Sequence, residues 1–215
     1  MKLFISLLYK MRKFRTVLLS GDNSKLCAEI LYQLLKDDFN VKTFFSTNEF
    51  SNALDFLSND ILIYIFDLEK EYGKIVEMFS GIESPIVVFN GNKQKEKTGN
   101  ELEVEYLMEN LSNNALIFFN NDNISLSENV KRGEKIIKTC SIENKGTIYA
   151  SDIVNDGQEL NFKINHEGNT IPFWIKGRYS IQEIYPILSA VLVAMNLGFN
   201  LVAISERLRE YHRAD

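Results

Sequence analysis

The chain has 215 residues, 45% of them apolar, and a formal charge of -5. That much apolar side chain supports one substantial core and excludes a disordered polypeptide, while the acidic balance excludes a nucleic-acid binder, since counterion release at a phosphate backbone needs a basic face. The two cysteines, Cys27 and Cys140, stand apart from each other and from any metal-ligand spacing, which points to a reducing cytoplasm and no structural bridge.

Residues 1–14 read as an amphipathic lead-in helix. The apolar run Leu3-Phe4-Ile5-Ser6-Leu7-Leu8 is too short to cross a bilayer, which takes about 20 residues, and the basic cluster Lys10, Arg12, Lys13 and Arg15 follows it, the reverse of a signal peptide. No transmembrane segment is expected, and weak contact of residues 1–15 with a membrane surface is the alternative use of this helix. From Arg15 to Asn123 apolar runs alternate with helical stretches, as in a sheet with crossover helices. The expected strands are Thr16-Ser20, Val41-Phe45, Ile61-Phe66, Pro85-Phe89 and Ala115-Phe119, most of them apolar throughout and so covered on both faces, the habit of parallel strands. Helices are expected over Lys25-Lys36, Asn48-Leu57, Lys74-Phe79 and Leu102-Leu111. After Asn123 the segments shorten and alternate: Lys135-Ser141, Thr147-Ile153, Glu159-Asn165 and Thr170-Ile175 read as an antiparallel region, with Asn155-Asp156-Gly157 and His166-Glu167-Gly168-Asn169 as its hairpin turns. Helices Ile181-Leu197 and Leu201-Tyr211 close the chain. The expectation is an α/β fold in a single domain over 15–215. It comprises a mostly parallel sheet with flanking helices (15–123), a smaller antiparallel β subdomain (134–176) and two closing helices (180–213).

Gly21-Asp22-Asn23-Ser24-Lys25 ends the first apolar run and opens a helix. A turn of this kind cradles phosphate because successive backbone N–H groups and a helix start present partial positive charge, a lysine neutralises the phosphate, and a following hydroxyl residue ligates magnesium. Here Leu26 follows Lys25, and leucine cannot bind a metal. Lys25 therefore has two readings, a phosphate contact or a solvated residue of the first helical turn with Asn23 as its cap. Asp67, at the carboxyl end of a strand, is a candidate metal ligand or a plain loop acid, and Asp122 in the Asn-Asn-Asp-Asn turn is a turn former or a ligand. His166 and His212 read as surface residues, and Phe173 and Trp174 as packing residues.

Taken together, the strand, the G-x-N-x-K turn, the Asn120-Asn121-Asp122-Asn123 turn, Gly146-Thr147-Ile148-Tyr149-Ala150-Ser151-Asp152-Ile153, two hairpin strands and Gly177-Arg178-Tyr179 before an alanine-bearing helix resemble the central ATPase domain of the Mur ligases, over about 14–211. Thr47-Asn48-Glu49-Phe50-Ser51-Asn52 is similar to the asparagine-rich loop of the branch that adds D-alanyl-D-alanine. The resemblance implies ATP and Mg2+ as cofactors, with Gly21, Asp22, Asn23, Ser24 and Lys25 at the phosphates, Asp67 in place of the family's metal-holding glutamate, and Asn48, Asn52, Asn90 and Asp122 near other ligands. It also shows departures. Ser24 stands where the family has glycine, and Leu26 and Cys27 stand for threonines. No histidine follows Asn90-Gly91, no lysine lies in Glu101–Leu107, and Tyr179-Ser180 replace a His-Asn pair. ATP binding is then weakened or lost.

Mur ligases also have amino- and carboxy-terminal domains that 215 residues do not hold. A core alone forfeits the proximity of acyl phosphate and amine, on the order of 7 kcal/mol or more. The expected function is a degenerate core, not catalytic alone, that binds a nucleotide or a protein partner supplying the missing domains in cell-wall metabolism. Two alternatives stand beside it. One is an ATP-dependent ligase or ATPase subunit completed by another chain. The other rests on the amino-terminal half, which is similar to a response-regulator receiver with Asp67 as phosphoacceptor and Asp22 in an acidic pocket.

Overall fold

The computed structural model describes residues 2–45, 49, 53–90, 101–123 and 135–213. In chain order the elements are α1 (Lys2–Met11), β1 (Arg15–Gly21), α2 (Ser24–Leu35), β2 (Val41–Phe44), α3 (Ala53–Ser58), β3 (Ile61–Phe66), α4 (Leu68–Phe79), β4 (Ile86–Asn90), α5 (Glu101–Asn110), β5 (Leu116–Asn120), β6 (Ile136–Ser141), β7 (Ile148–Asn155), β8 (Glu159–His166), β9 (Asn169–Lys176), α6 (Ile184–Asn196) and α7 (Leu201–Glu210). The nine strands of the described residues form one sheet in the order β2-β3-β1-β4-β5-β6-β7-β8-β9. The expected α/β architecture is present, with a mostly parallel sheet, helices on its faces and antiparallel strands toward the carboxyl end.

Strand periodicity sends alternate residues to opposite faces, and both faces of the parallel part are covered. Val17 and Leu19 of β1 join a layer built by α2, α6 and α7, whereas Leu18 joins a second layer built by α1, α3, α4 and α5. Helix α6 is buried along residues 184–194 because it lies between the sheet, α2 and α7, and its sequence is accordingly apolar all round. Helix α1 buries Ile5 and Leu8 and leaves Leu7 and Met11 exposed. Among the described residues no helix is long and apolar enough to cross a membrane.

Three sequence expectations change. The segment Ile136–Ser141, grouped with the antiparallel strands by its alternation, pairs parallel with both β5 and β7. Antiparallel pairing starts at β7 and β8 and continues to β9. Helix α4 begins six residues before Lys74, because Asp67 caps it and Glu69 and Glu71 suit its positive first turn. The receiver reading fails on topology: that fold runs 2-1-3-4-5, with the first strand next to the second, whereas here β3 separates β2 from β1.

Both outer strands are blunted. The four-residue β2 carries Lys42, which pairs with Asp55 at 3.8 Å. At the other edge Pro172 of β9 has no N–H to offer, the Ser205 hydroxyl donates to its carbonyl at 2.6 Å, and Lys176 forms a parallel bridge with His212.

Candidate functional site: the carboxyl rim of the parallel strands

Register brings the candidate residues to one rim. Ser20 pairs with Phe66, so Asp67 follows level with Gly21, which in turn pairs with Asn90; Phe89 pairs with Phe119, which places Asn120 alongside. Open α/β sheets bind ligands at this rim.

The turn has a phosphate loop's backbone and a different side-chain set. Gly21 has φ +96°, and a Cβ there would lie 2.1 Å from the Asn90 carbonyl oxygen, so glycine is required by the approach of β1 to β4. Asn23 takes the left-handed conformation (φ 56°) and starts α2, yet its side chain caps no helical N–H. Helix α2's first intrahelical bond runs from Cys27 N–H to the Asn23 carbonyl at 3.1 Å. The N–H groups of Ser24, Lys25 and Leu26 therefore precede the ladder and carry the positive end of the helix dipole. Lys25 is exposed, and Asp22 is half-buried.

Ser24 is buried, and its hydroxyl turns inward to donate to the Gly21 carbonyl at 2.8 Å while the Asn90 Nδ2 donates to it at 3.5 Å. Among the described residues Asn90 Oδ1 is buried and accepts no hydrogen bond. Leu26 and Cys27 point into the core. Burial pushes the Cys27 thiol up to about 12, against a smaller opposite effect of the Asn90 side chain, so it is no thiolate at neutral pH. Cys140 is also free and buried, with its thiol pushed up to about 12 by burial.

Asp67 and Asp122 are spent in different ways. Asp67 accepts from Glu69 N–H at 3.1 Å and pairs with Lys70 at 2.7 Å; this lysine's hydrogen bond is the main cause of its lowered pKa. Asp122, 2% exposed, accepts from the backbone N–H groups of Ile142 (2.7 Å), Glu143 (3.1 Å) and Asn144 (3.0 Å), from Asn144 Nδ2 (2.8 Å) and from the Tyr185 hydroxyl (2.9 Å). Burial alone would raise its pKa, but these donors outweigh it and the carboxyl is held below its ordinary value. Asp122 thus ties the turn between β6 and β7 to α6. Sequence reading missed Asn144 and Tyr185, which lie 22 and 63 residues away and carry no local signal.

Tyr179 and Ser180 are likewise used internally. The Tyr179 carbonyl accepts from Asn155 Nδ2 at 2.6 Å, its ring lies 5.4 Å from the Arg213 guanidinium, and Ser180 forms a capping box with Glu183. Asn48 and Asn52 lie outside the described residues. Of the remaining candidates the structure brings Gly21, Asp22, Asn23, Ser24, Lys25, Asp67 and Asn90 to one stretch of rim and leaves Asp122 enclosed by its own donors.

The fit to the implied cofactors divides. The α2 N-terminus and Lys25 suit an anion. The side chains do not suit magnesium: Leu26 offers no oxygen, the Ser24 hydroxyl is turned inward, and the Asp67 carboxylate is engaged by a cap and an ion pair. Among the described residues no three His, Cys, Asp or Glu side chains are grouped to hold a metal.

No family model matches the sequence, and no curated protein matches it. Solved structures do match. MurF ligase from Thermotoga maritima, in complex with ADP, aligns over 98% of this chain and 51% of its own at 17% identity, TM-score 0.76. MurF from Acinetobacter baumannii aligns over 98% and 49% at 13% identity, TM-score 0.76. A pseudomurein peptide ligase type C from Methanothermus fervidus aligns over 97% and 51% at 13% identity, TM-score 0.70. The chain spans about half the length of these relatives and aligns with them over nearly all of its own: it has the fold of the Mur ligase central region.

Proposed function

We propose that this chain is a Mur-ligase-like core that does not ligate by itself and serves cell-wall metabolism in the cytoplasm as a nucleotide- or partner-binding module, nearest the branch that adds D-alanyl-D-alanine. One observation carries the reading: the turn keeps its glycine, its lysine and a helix start whose first N–H groups precede the intrahelical ladder, while the Ser24 hydroxyl is folded back on the Gly21 carbonyl and Leu26 stands buried where the resemblance puts a metal-binding threonine. A protein partner that brings flanking domains to this core is part of the same proposal. Exposed Leu7 and Met11 beside Lys10 give α1 a surface for weak membrane contact.

The test is ATP binding and turnover by the purified chain, with and without magnesium, against Lys25→Ala. The expected result is no turnover, and nucleotide binding that is independent of magnesium and lost in the variant. Magnesium-dependent turnover that Lys25→Ala abolishes would overturn the reading. Identical behaviour of the two proteins would remove the nucleotide role and leave partner binding alone. The second reading, an ATPase subunit completed by another chain, is favoured by the exposed Lys25 at an open helix terminus. It requires turnover to appear when the flanking domains of a complete Mur ligase are added in trans.

A further inference from the structure

The antiparallel strands present one face that does not pack against the helices of the second layer. Ala150, Leu160, Phe162, Ile164, Phe173 and Ile175 point into the core beneath α2, α6 and α7, so the alternate residues point the other way. No residue of β7, β8 or β9 joins the layer that α1, α3, α4 and α5 build on that other side. Register sets Val154, Asn161 and Trp174 in one row and Glu159 beside Lys176 in the next. Trp174, expected from sequence to be a packing residue, is 42% exposed and Val154 59% exposed.

Arg209 of α7 reaches this face with its guanidinium 5.9 Å from the indole centroid, the outer limit of a cation–π contact. Glu159, Trp174, Lys176 and Arg209 line a cavity of about 230 Å³. It shares Lys176 and Arg209 with a second cavity, of about 600 Å³, whose other walls are Glu206, Glu210 and His212. Among the described residues neither Lys176 nor Arg209 has a carboxylate within ion-pair distance, and the Glu159 carboxylate accepts a single hydrogen bond, at 3.3 Å from Asn161 Nδ2.

We propose that this groove binds a saccharide, with a pyranose ring laid on Trp174 and its hydroxyls shared between Glu159 on one side and Lys176 and Arg209 on the other. The lining selects the class. An anion would meet Glu159, Glu206 and Glu210; a cation would meet Lys176 and Arg209; an apolar segment would strip water from all five charges without replacing it. A sugar ring has an apolar C–H face for the indole and a rim of hydroxyls that both donate and accept, so it satisfies carboxylates and cations together. The site does not depend on the nucleotide reading: β9 is six strand spacings from β1, roughly 29 Å at about 4.8 Å each.

The chain has a single tryptophan, so its emission reports this groove alone. Titration of the intact chain with glucose, N-acetylglucosamine and the β-1,4-linked tetramer of each is expected to give a saturable shift in emission with at least one. Calorimetry is expected to show binding weakened about tenfold or more in Trp174→Ala, and by several-fold in Glu159→Gln and Arg209→Ala, with wild-type circular dichroism and melting in each. No emission change up to about 50 mM sugar, binding that survives Trp174→Ala, or a shift produced by a polyglutamate peptide and by no sugar would overturn the proposal. Failure here leaves the Lys25 experiment untouched, and the reverse holds.

Discussion

Asp67 and Asp122 both follow a strand at the carboxyl rim, and both were candidate ligands by sequence. Asp67 is exposed and held by one N–H and one lysine, each of which water or a ligand could replace. Asp122 is buried and takes five hydrogen bonds from the protein itself. An acid at a rim is available to a ligand only in proportion to the donors the fold has not already assigned to it. By that measure Asp67, engaged by exposed neighbours on its own helix, is the weaker tie and Asp122 the structural one.

The comparison is most easily broken at Asp122. Asp122→Ala leaves three backbone N–H groups, an amide and a phenol facing a void, and the expected cost is about 3–5 kcal/mol in urea denaturation; a loss under about 1 kcal/mol would mean that water replaces the carboxylate and that the two acids are alike. Gly21→Ala comes next, at about 2–4 kcal/mol, from a positive φ and a Cβ set against the Asn90 carbonyl; a melting transition close to wild type would show that β1 and β4 can part. Acid should single out the same tie. The folded-state pKa of Asp122 is depressed, so its contribution is complete above the unfolded value near 3.9 and fades as pH falls through the folded value. Stability of the wild type is expected to drop more steeply below about pH 4 than that of Asp122→Asn, measured by denaturant midpoints across the acid range. Asp67→Ala removes a helix cap on an exposed residue and should cost about 1 kcal/mol. Lys25→Ala should leave the melting transition within about 0.5 kcal/mol of wild type, so that any effect on nucleotide binding is read without a stability correction.

Sequence carried much of this fold because its signals are local. The apolar runs of β1, β3, β4 and β5 and the glycine turns at Gly157 and Gly168, both with positive φ, are visible to within a residue or two. The parallel pairing of β6 was hidden because Lys138, Thr139 and Ser141 break up its apolar run, whereas the other parallel strands of the core are apolar almost throughout. Lys135 is buried, donating to the Leu111 and Ser112 carbonyls at 2.8 and 3.0 Å, and Lys138 reaches Asn196 on α6. The start of α4 was legible in Asp67 and Glu69 but masked by Gly73 inside the helix. At the site, Gly21 and Lys25 could be found by spacing. The inward turn of the Ser24 hydroxyl joins a carbonyl three residues back to Asn90, 66 residues on, and the enclosure of Asp122 depends on donors 20 to 63 residues distant, which no local pattern encodes.

A nine-stranded sheet has two margins, and each is a template on which another chain can polymerise. One margin here is four residues long and bears a lysine; at the other, a proline interrupts the run of donors and a serine hydroxyl occupies its carbonyl. Concentrated solutions should therefore stay free of fibrous assembly, and the weak point against it is Ser205, whose loss would return an acceptor to the open margin.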